Sequence, residues 1–207
     1  PNGIYIPRFR NVEGDDGLGF NRGYGYQGGA GRASWSDMAK LTPGFGKDFK
    51  HSLRTPGPWF MQLGAFGEIL PYQQNRMTLH ASKTDRFGMP LASFHFEFGE
   101  NEKRQRQDSI EQAVQMLEAA GAQNIQTYDA PMIGGAAIHE MGTARMGDDP
   151  TEAVLNAHNQ AHAAANLFVT DGACMTSAAC VNPSLTYMAL TARAANYAVQ
   201  QIKDGAI

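Results

Sequence analysis

Met77-Thr-Leu-His-Ala81 and Leu91-Ala-Ser-Phe-His-Phe-Glu-Phe98 both alternate apolar and polar residues at period two. That is the pattern of half-buried strands. Between them Lys83-Thr-Asp-Arg-Phe-Gly88 is rich in turn formers and of hairpin length. The three pieces together predict an antiparallel sheet. Upstream, Pro58-Trp-Phe-Met-Gln-Leu-Gly-Ala-Phe-Gly-Glu-Ile-Leu70 is apolar with polar breaks and reads as a further strand. Downstream, Asp108 or Ser109 can cap a helix, with Gln112 three residues after Ser109 as in a capping box. Ile110, Ala113, Val114, Leu117 and Ala120 share its apolar face, and Gly121 supplies a stop.

Residues 1–50 show no sustained helical period. The stretch from Gly17 to Gly31 mixes glycine with aromatics, as an ordered loop packed on another element would. Residues 23–28 spell G-x-G-x-x-G, but a dinucleotide-binding turn needs a strand before it and a helix after it. Charged and glycine residues precede this one and more glycines follow, so the match reads as accidental.

The totals describe a globular chain able to bury a core: 207 residues, 43% hydrophobic and 18% charged. A net charge of −3 gives no reason to expect nucleic acid as a partner. No apolar run approaches the roughly 20 residues of a membrane span. The chain opens on Pro1 without an initiator Met, which is expected of a fragment and leaves the compartment, periplasmic or cytoplasmic, open. Cys174 and Cys180 are too few for a disulfide framework and read as buried small residues.

The texture changes after residue 130. Ile133-Gly-Gly-Ala-Ala-Ile-His-Glu-Met-Gly-Thr-Ala-Arg-Met-Gly147 is a small-residue segment around a histidine. Asn166-Leu-Phe-Val-Thr-Asp171 reads as a short buried strand ending in Asp-Gly. A long helix runs from residue 183 to about 203, with Pro183 at its favoured first position. Its apolar face holds Leu185, Met188, Ala189, Ala192, Ala195, Val199 and Ile202.

Three of these segments, in order, resemble the carboxy-terminal signature of the glucose–methanol–choline family of flavoprotein oxidoreductases. They are His139-Glu-Met-Gly-Thr-Ala-Arg-Met-Gly147, Asn166-Leu-Phe-Val-Thr-Asp-Gly172, and Asn182-Pro-Ser-Leu-Thr186 leading into the last helix. The resemblance is dense over residues 130–207 and looser over 58–130. It implies an α+β fold in which residues 1–130 form a substrate-binding region on an antiparallel sheet. Residues 131–207 would form the flavin-facing carboxy-terminal strand and helix of an FAD-binding domain. The dinucleotide-binding half of that domain is missing, and as the amino-terminal half of the same chain it is one expected partner.

The same resemblance gives His139 the position of the base and Asn182 the partner position. Oxidising an alcohol removes a hydroxyl proton and a hydride, and flavin accepts the hydride. An imidazole titrates close to neutrality and suits the proton, while an amide donates to the developing alkoxide without titrating. Asp171 and Gly172 match the family's strand end beside the ribityl and pyrophosphate portion of FAD. The helix starting at Pro183 offers the N–H groups of Ser184 and Leu185 to negative charge on the reduced flavin. Asn182 also suits an N-cap, and Asp171-Gly172 suits a plain turn.

Two other readings stand beside this one. His158 and His162, four apart, would share a helix face as a metal pair could, which suggests a metal-dependent hydrolase. Position 143 is Thr, however, where a zinc-protease motif starting at His139-Glu140 needs its second histidine. A non-catalytic binding module is the other reading, with Glu68, His80, His95 and Glu97 on the sheet as pocket residues or, equally well, as solvent-facing ones. The substrate implied is an alcohol, such as one borne by a sugar or polyol. The acceptor stays open between oxygen, quinone and a cytochrome subunit.

Overall fold

A computed structural model describes residues 2–207 apart from 130–132, 134, 135 and 137. The chain is α+β, as expected, and divides into two compact units. The first unit is residues 1–67 with 105–129, and the second is 68–104 with 130–207.

The first unit is built on a three-stranded antiparallel sheet of β1 (Asn2–Ile6), β2 (Tyr24–Arg32) and β3 (Trp59–Gly67), with β2 in the centre. The glycine-rich stretch expected to be a loop is therefore, from residue 24 on, the central strand. Its glycines answer a steric demand. A Cβ on Gly28 would overlap the Gln62 carbonyl of β3, and one on Gly25 would lie 2.8 Å from the Ile6 carbonyl of β1. Glycine has no side chain to report the period of two, so the strand was hidden in the sequence. The G-x-G-x-x-G match runs into this antiparallel strand, with no strand-to-helix turn. Two short helices follow β2: α1 (Trp35–Leu41) and α2 (Gly46–Ser52). Ser34 and Asp37 close a capping box at the start of α1.

Tyr24 and Tyr26 point from β2 into the core, fully buried, with Phe20. Ile6, Phe9, Leu18, Leu63, Ala113 and Met116 pack around them. The rings of Tyr24 and Tyr26 meet edge to face, with centroids 5.6 Å apart. Each phenol is bonded: Tyr26 donates to the Ser109 carbonyl at 2.6 Å, and Tyr24 to the Asp108 carboxylate. Arg10 grips the same carboxylate with two hydrogen bonds of 3.0 and 3.1 Å.

Asp108 and Ser109 are thus mid-helix residues, not caps. Helix α3 spans Glu100–Ala119 and crosses the division between the units, its first five residues counting with the second. Its start is marked by Glu102, whose carboxylate accepts the Gly99 N–H at 2.8 Å and the Leu70 N–H at 3.1 Å. Its inner face carries polar Glu102, Gln105 and Ser109, all buried, before Ala113 and Met116. A search for an apolar stripe could not find that face. The stop at Gly121 is as expected: φ is +80°, and Ala122 N–H donates to Leu117 O while Gly121 N–H donates to Glu118 O.

In the second unit β4 (Arg76–Thr84) and β5 (Pro90–His95) form the expected hairpin, with Met77 opposite Phe94 and a bulge between Leu79 and Thr84. His80 Nδ1 accepts the N–H groups of Ser82 and Lys83 at that bulge. β5 ends before Phe96 and Phe98, which stack edge to face on each other. β6 (Gln160–Ala161) and β7 (Ala164–Phe168) form a second small ladder. β7 begins earlier than expected, and its Leu167 is 51% exposed rather than buried. Helix α4 spans Ser184–Lys203. The core here is Leu155, Ala161 and Cys174, with Met146, Val169, Met175 and Leu190 around it. Both cysteines are buried thiols, and burial pushes the Cys174 thiol up and keeps it protonated.

Helix α4 turns its other side inward. Tyr187, Leu190, Ala194 and Tyr197 face the protein, whereas the stripe Leu185, Met188, Ala192, Ala195, Val199 and Ile202 is exposed. The inward face can be small and polar because Arg193 donates to Asn159 Oδ1 at 3.2 Å. Asn159 is fully buried, with φ +64°, and its amide donates to the Val169 carbonyl at 3.0 Å.

Candidate active site

The segment carrying His139 is tied down on its carboxy-terminal side. Ala144 N–H donates to Ala173 O at 2.9 Å, and Met146 N–H to Cys174 O at 3.0 Å. Residues 144–146 therefore lie along the short 3-10 turn Gly172–Cys174. Gly147 N–H reaches Leu155 O at 2.8 Å, and Leu155 N–H returns to Arg145 O. With these bonds made, the preceding residues can hold an unfavourable backbone. His139 has φ +74°, in the left-handed region that costs a residue with a Cβ about 1–2 kcal/mol. Such strain persists only where surrounding structure enforces it, and it clusters at functional sites. His139 is half-buried, and among the described residues its ring has no hydrogen-bond partner.

Asn182 lies two positions before α4 and is exposed. Its amide likewise has no partner among the described residues. It is not the N-cap: that position belongs to Pro183, which is buried and has ψ 3°. This ψ lies outside the helical range, so winding begins at Ser184, one residue later than expected. No side chain caps the first turn of α4. The N–H groups at its start have no intrahelical acceptor either. Ser184 and Leu185 are exposed, Leu185 by 79%.

Asp171 caps the 3-10 turn, its carboxylate accepting the Ala173 N–H at 2.9 Å. Gly172 is buried at a crowded junction. A Cβ there would stand 2.8 Å from the Glu140 carbonyl, 2.8 Å from the Tyr187 hydroxyl and 3.1 Å from Met141 Sδ. Tyr187 donates to Met141 Sδ at 3.7 Å. Burial pushes its phenol up, with Asp171 adding to the effect, so it remains a donor. Three expected site segments therefore meet at Gly172: the chain just after His139, the Asp171-Gly172 turn, and the first turn of α4. No hydrogen bond joins His139 to Asn182 among the described residues. Gly134 and Gly135, in the small-residue segment before His139, lie outside the described residues.

Tyr187 and Met141 gave no sign of this role in the sequence, since an aromatic on a helix and a Met in a small-residue loop are common core choices. Asn159 was equally hidden, although Asn tolerates the left-handed backbone it adopts. His158 and His162 do not share a helix face. They sit in a turn and just after β6, His158 stacked on Tyr197 at 4.0 Å between centroids and His162 bonded to the Gly147 carbonyl at 3.0 Å. Of the sheet residues, His80 serves the bulge, and His95 lies 3.7 Å from the Glu97 carboxylate.

The profile of the family described as GMC oxidoreductase matches residues 71–191, more than half of the chain. This chain belongs to the GMC oxidoreductase family. Among its relatives, 2-methyl-1,2-propanediol dehydrogenase of Mycolicibacterium austroafricanum is 32% identical over 92% of this chain and 35% of its own length. The fructose dehydrogenase large subunit of Gluconobacter japonicus is 29% identical over 83% of this chain and 31% of its own length. Pyranose 2-oxidase of Tricholoma matsutake is 26% identical over 69% of this chain and 27% of its own length. The GMC chain described here thus spans about a third of the length of the curated relatives it matches. The matched span includes His139, Asp171, Gly172, Asn182 and the first two turns of α4.

Proposed function

We propose that this chain forms one wall of the flavin site in an FAD-dependent oxidoreductase that oxidises a primary or secondary alcohol, such as that of a sugar or polyol. One observation carries the reading. His139 is held in a strained backbone, and among the described residues neither its ring nor the Asn182 amide, in the segment entering the helix that anchors the His139 loop, has a hydrogen-bond partner. Among the described residues, no buried side-chain polar atom lacks a partner. The half-buried His139 ring and the exposed Asn182 amide are both within reach of a substrate.

The donors at the start of α4 fit a flavin. An uncapped helix N-terminus carries about half a positive charge and suits the anionic reduced ring. Ser184 and Leu185 would supply the N–H groups, Pro183 would shape the approach, and Asp171-Gly172 would lie toward the ribityl and pyrophosphate portion. When bound, FAD supplies the hydride acceptor. His139 takes the hydroxyl proton at a ring nitrogen. Asn182 donates its amide hydrogen to the substrate oxygen as negative charge grows there, and holds the carbinol in one orientation.

Residues 1–130 are assigned to the substrate side and 131–207 to the flavin side. The exposed apolar side chains Leu185, Met188, Val199 and Ile202 along one face of α4 support docking of an amino-terminal FAD-binding half. One relative is named as a large subunit, which supports an electron-accepting partner subunit as well. The test uses the complete protein with His139→Ala. Alcohol-dependent loss of oxidised-flavin absorbance should slow by about 10²–10⁴-fold. A rate equal to wild type would remove His139 as the base.

A further inference from the structure

Tyr187 lies in the first turn of α4, and its backbone N–H donates to Pro183 O at 3.0 Å, fixing the helix entry that Asn182 precedes. Its hydroxyl crosses to Met141 Sδ at 3.7 Å, two residues beyond His139. The backbone of Gly172 fills the space behind this contact, so closely that a Cβ would press on Tyr187 Oη, Met141 Sδ and Glu140 O together. On the far side, the bonds of Ala144 and Met146 to Ala173 and Cys174 hold the loop again. Between these two anchors Gly142 has φ +88°, and two residues before the first of them His139 has φ +74°. The left-handed backbone of His139 relaxes unless the structure beside it is pinned.

We propose that Tyr187 is a positioning residue whose hydroxyl, donating to Met141 Sδ over Gly172, locks the His139 loop onto the helix entry that bears Asn182. The proposal rests on the reading of His139 as base and adds what holds it in place. Tyr187 does not touch the substrate in this account. It fixes the separation of the two groups that do, and a misplacement of about 1 Å between such groups costs roughly a hundredfold in rate.

The experiment is a double-mutant cycle in the complete protein: Tyr187→Phe, His139→Ala, and both together. Tyr187→Phe should lower kcat roughly tenfold with KM nearly unchanged, and should shift the acidic limb of the kcat pH profile. In the His139→Ala background the same change should have almost no further effect, because residues acting through one another are not additive. A readout without turnover is the labelling of His139 by diethyl pyrocarbonate, followed by mass spectrometry, which should change severalfold in Tyr187→Phe. Met141→Leu keeps the volume, removes the acceptor and should reproduce these effects, so a poorly folding Tyr187 variant does not end the test. Wild-type kcat and labelling in both variants, or full additivity with His139→Ala, overturns the proposal. If His139→Ala itself turns over at wild-type rate, the assignment of the base has failed, which is a different result from an inert Tyr187.

Discussion

The surroundings of Tyr24 and those of His139 are both small regions where polar side chains sit close to apolar ones, yet they finish their hydrogen bonds differently. Around Tyr24 every group is answered from within: two phenols, a carboxylate and a guanidinium bond to one another and to the helix backbone. Beyond His139 the backbone is tied from Ala144 to Gly147, while the imidazole and the Asn182 amide have no partner among the described residues. A closed network specifies packing, because each lost partner strands a buried group. An open pair on a fixed backbone leaves its bonds to a ligand. The first region is scaffold and the second is where chemistry is expected.

This contrast can be broken by substitution. Asn182→Ala should raise the barrier to alcohol oxidation by about 3–4 kcal/mol, as loss of an oxyanion donor does, while the melting temperature stays at the wild-type value. Steady-state kinetics with thermal unfolding checks both halves, and a stability loss with intact kcat would make Asn182 a structural residue. Asp108→Ala should do the reverse. It strands Arg10 and Tyr24 in a mostly buried site and should cost about 3 kcal/mol in denaturant unfolding, with kcat per folded enzyme preserved.

Alkaline pH sharpens the comparison. Burial pushes the Tyr26 phenol up to about 12, and that of Tyr24 further in the same direction. These groups bind protons more tightly folded than unfolded, so their contribution to stability is complete below the ordinary tyrosine value near 10. It is lost as the pH climbs from about 10 to 12, where unfolding and tyrosinate absorbance should rise together. Tyr26→Phe should flatten that dependence. The smallest effect expected is that of Gly121→Ala, which puts a Cβ at φ +80° and should cost about 1 kcal/mol. That is a drop of roughly 2–4 °C in melting temperature.

Legibility in the sequence tracked whether an element carries its own signal. The β4–β5 hairpin was readable because alternation and turn residues are local, and so were the Gly121 stop and the span of α4. β2 was not, because glycine gives no polarity to count. The inner face of α3 was not, because its partners Arg10, Tyr24 and Tyr26 lie about a hundred residues away in the chain. The same holds for α4, whose most apolar stripe is exposed while Ala194 and Tyr187 face inward. Hydrophobicity names the stripe that seeks cover but not the surface that covers it.

By itself the sequence determined the family, the α+β class, and the residues His139, Asp171, Gly172 and Asn182 as those to follow, since order and spacing of short motifs survive without coordinates. Only the tertiary structure decided that Gly172 is a junction, that the helix winds from Ser184 with Pro183 as its N-cap, and that Tyr187 and Met141 hold the His139 loop. The reason is physical. The junction and the loop anchor are approaches of a few ångströms between residues 15 to 46 positions apart, and no local pattern along the chain encodes a distance between two of its parts.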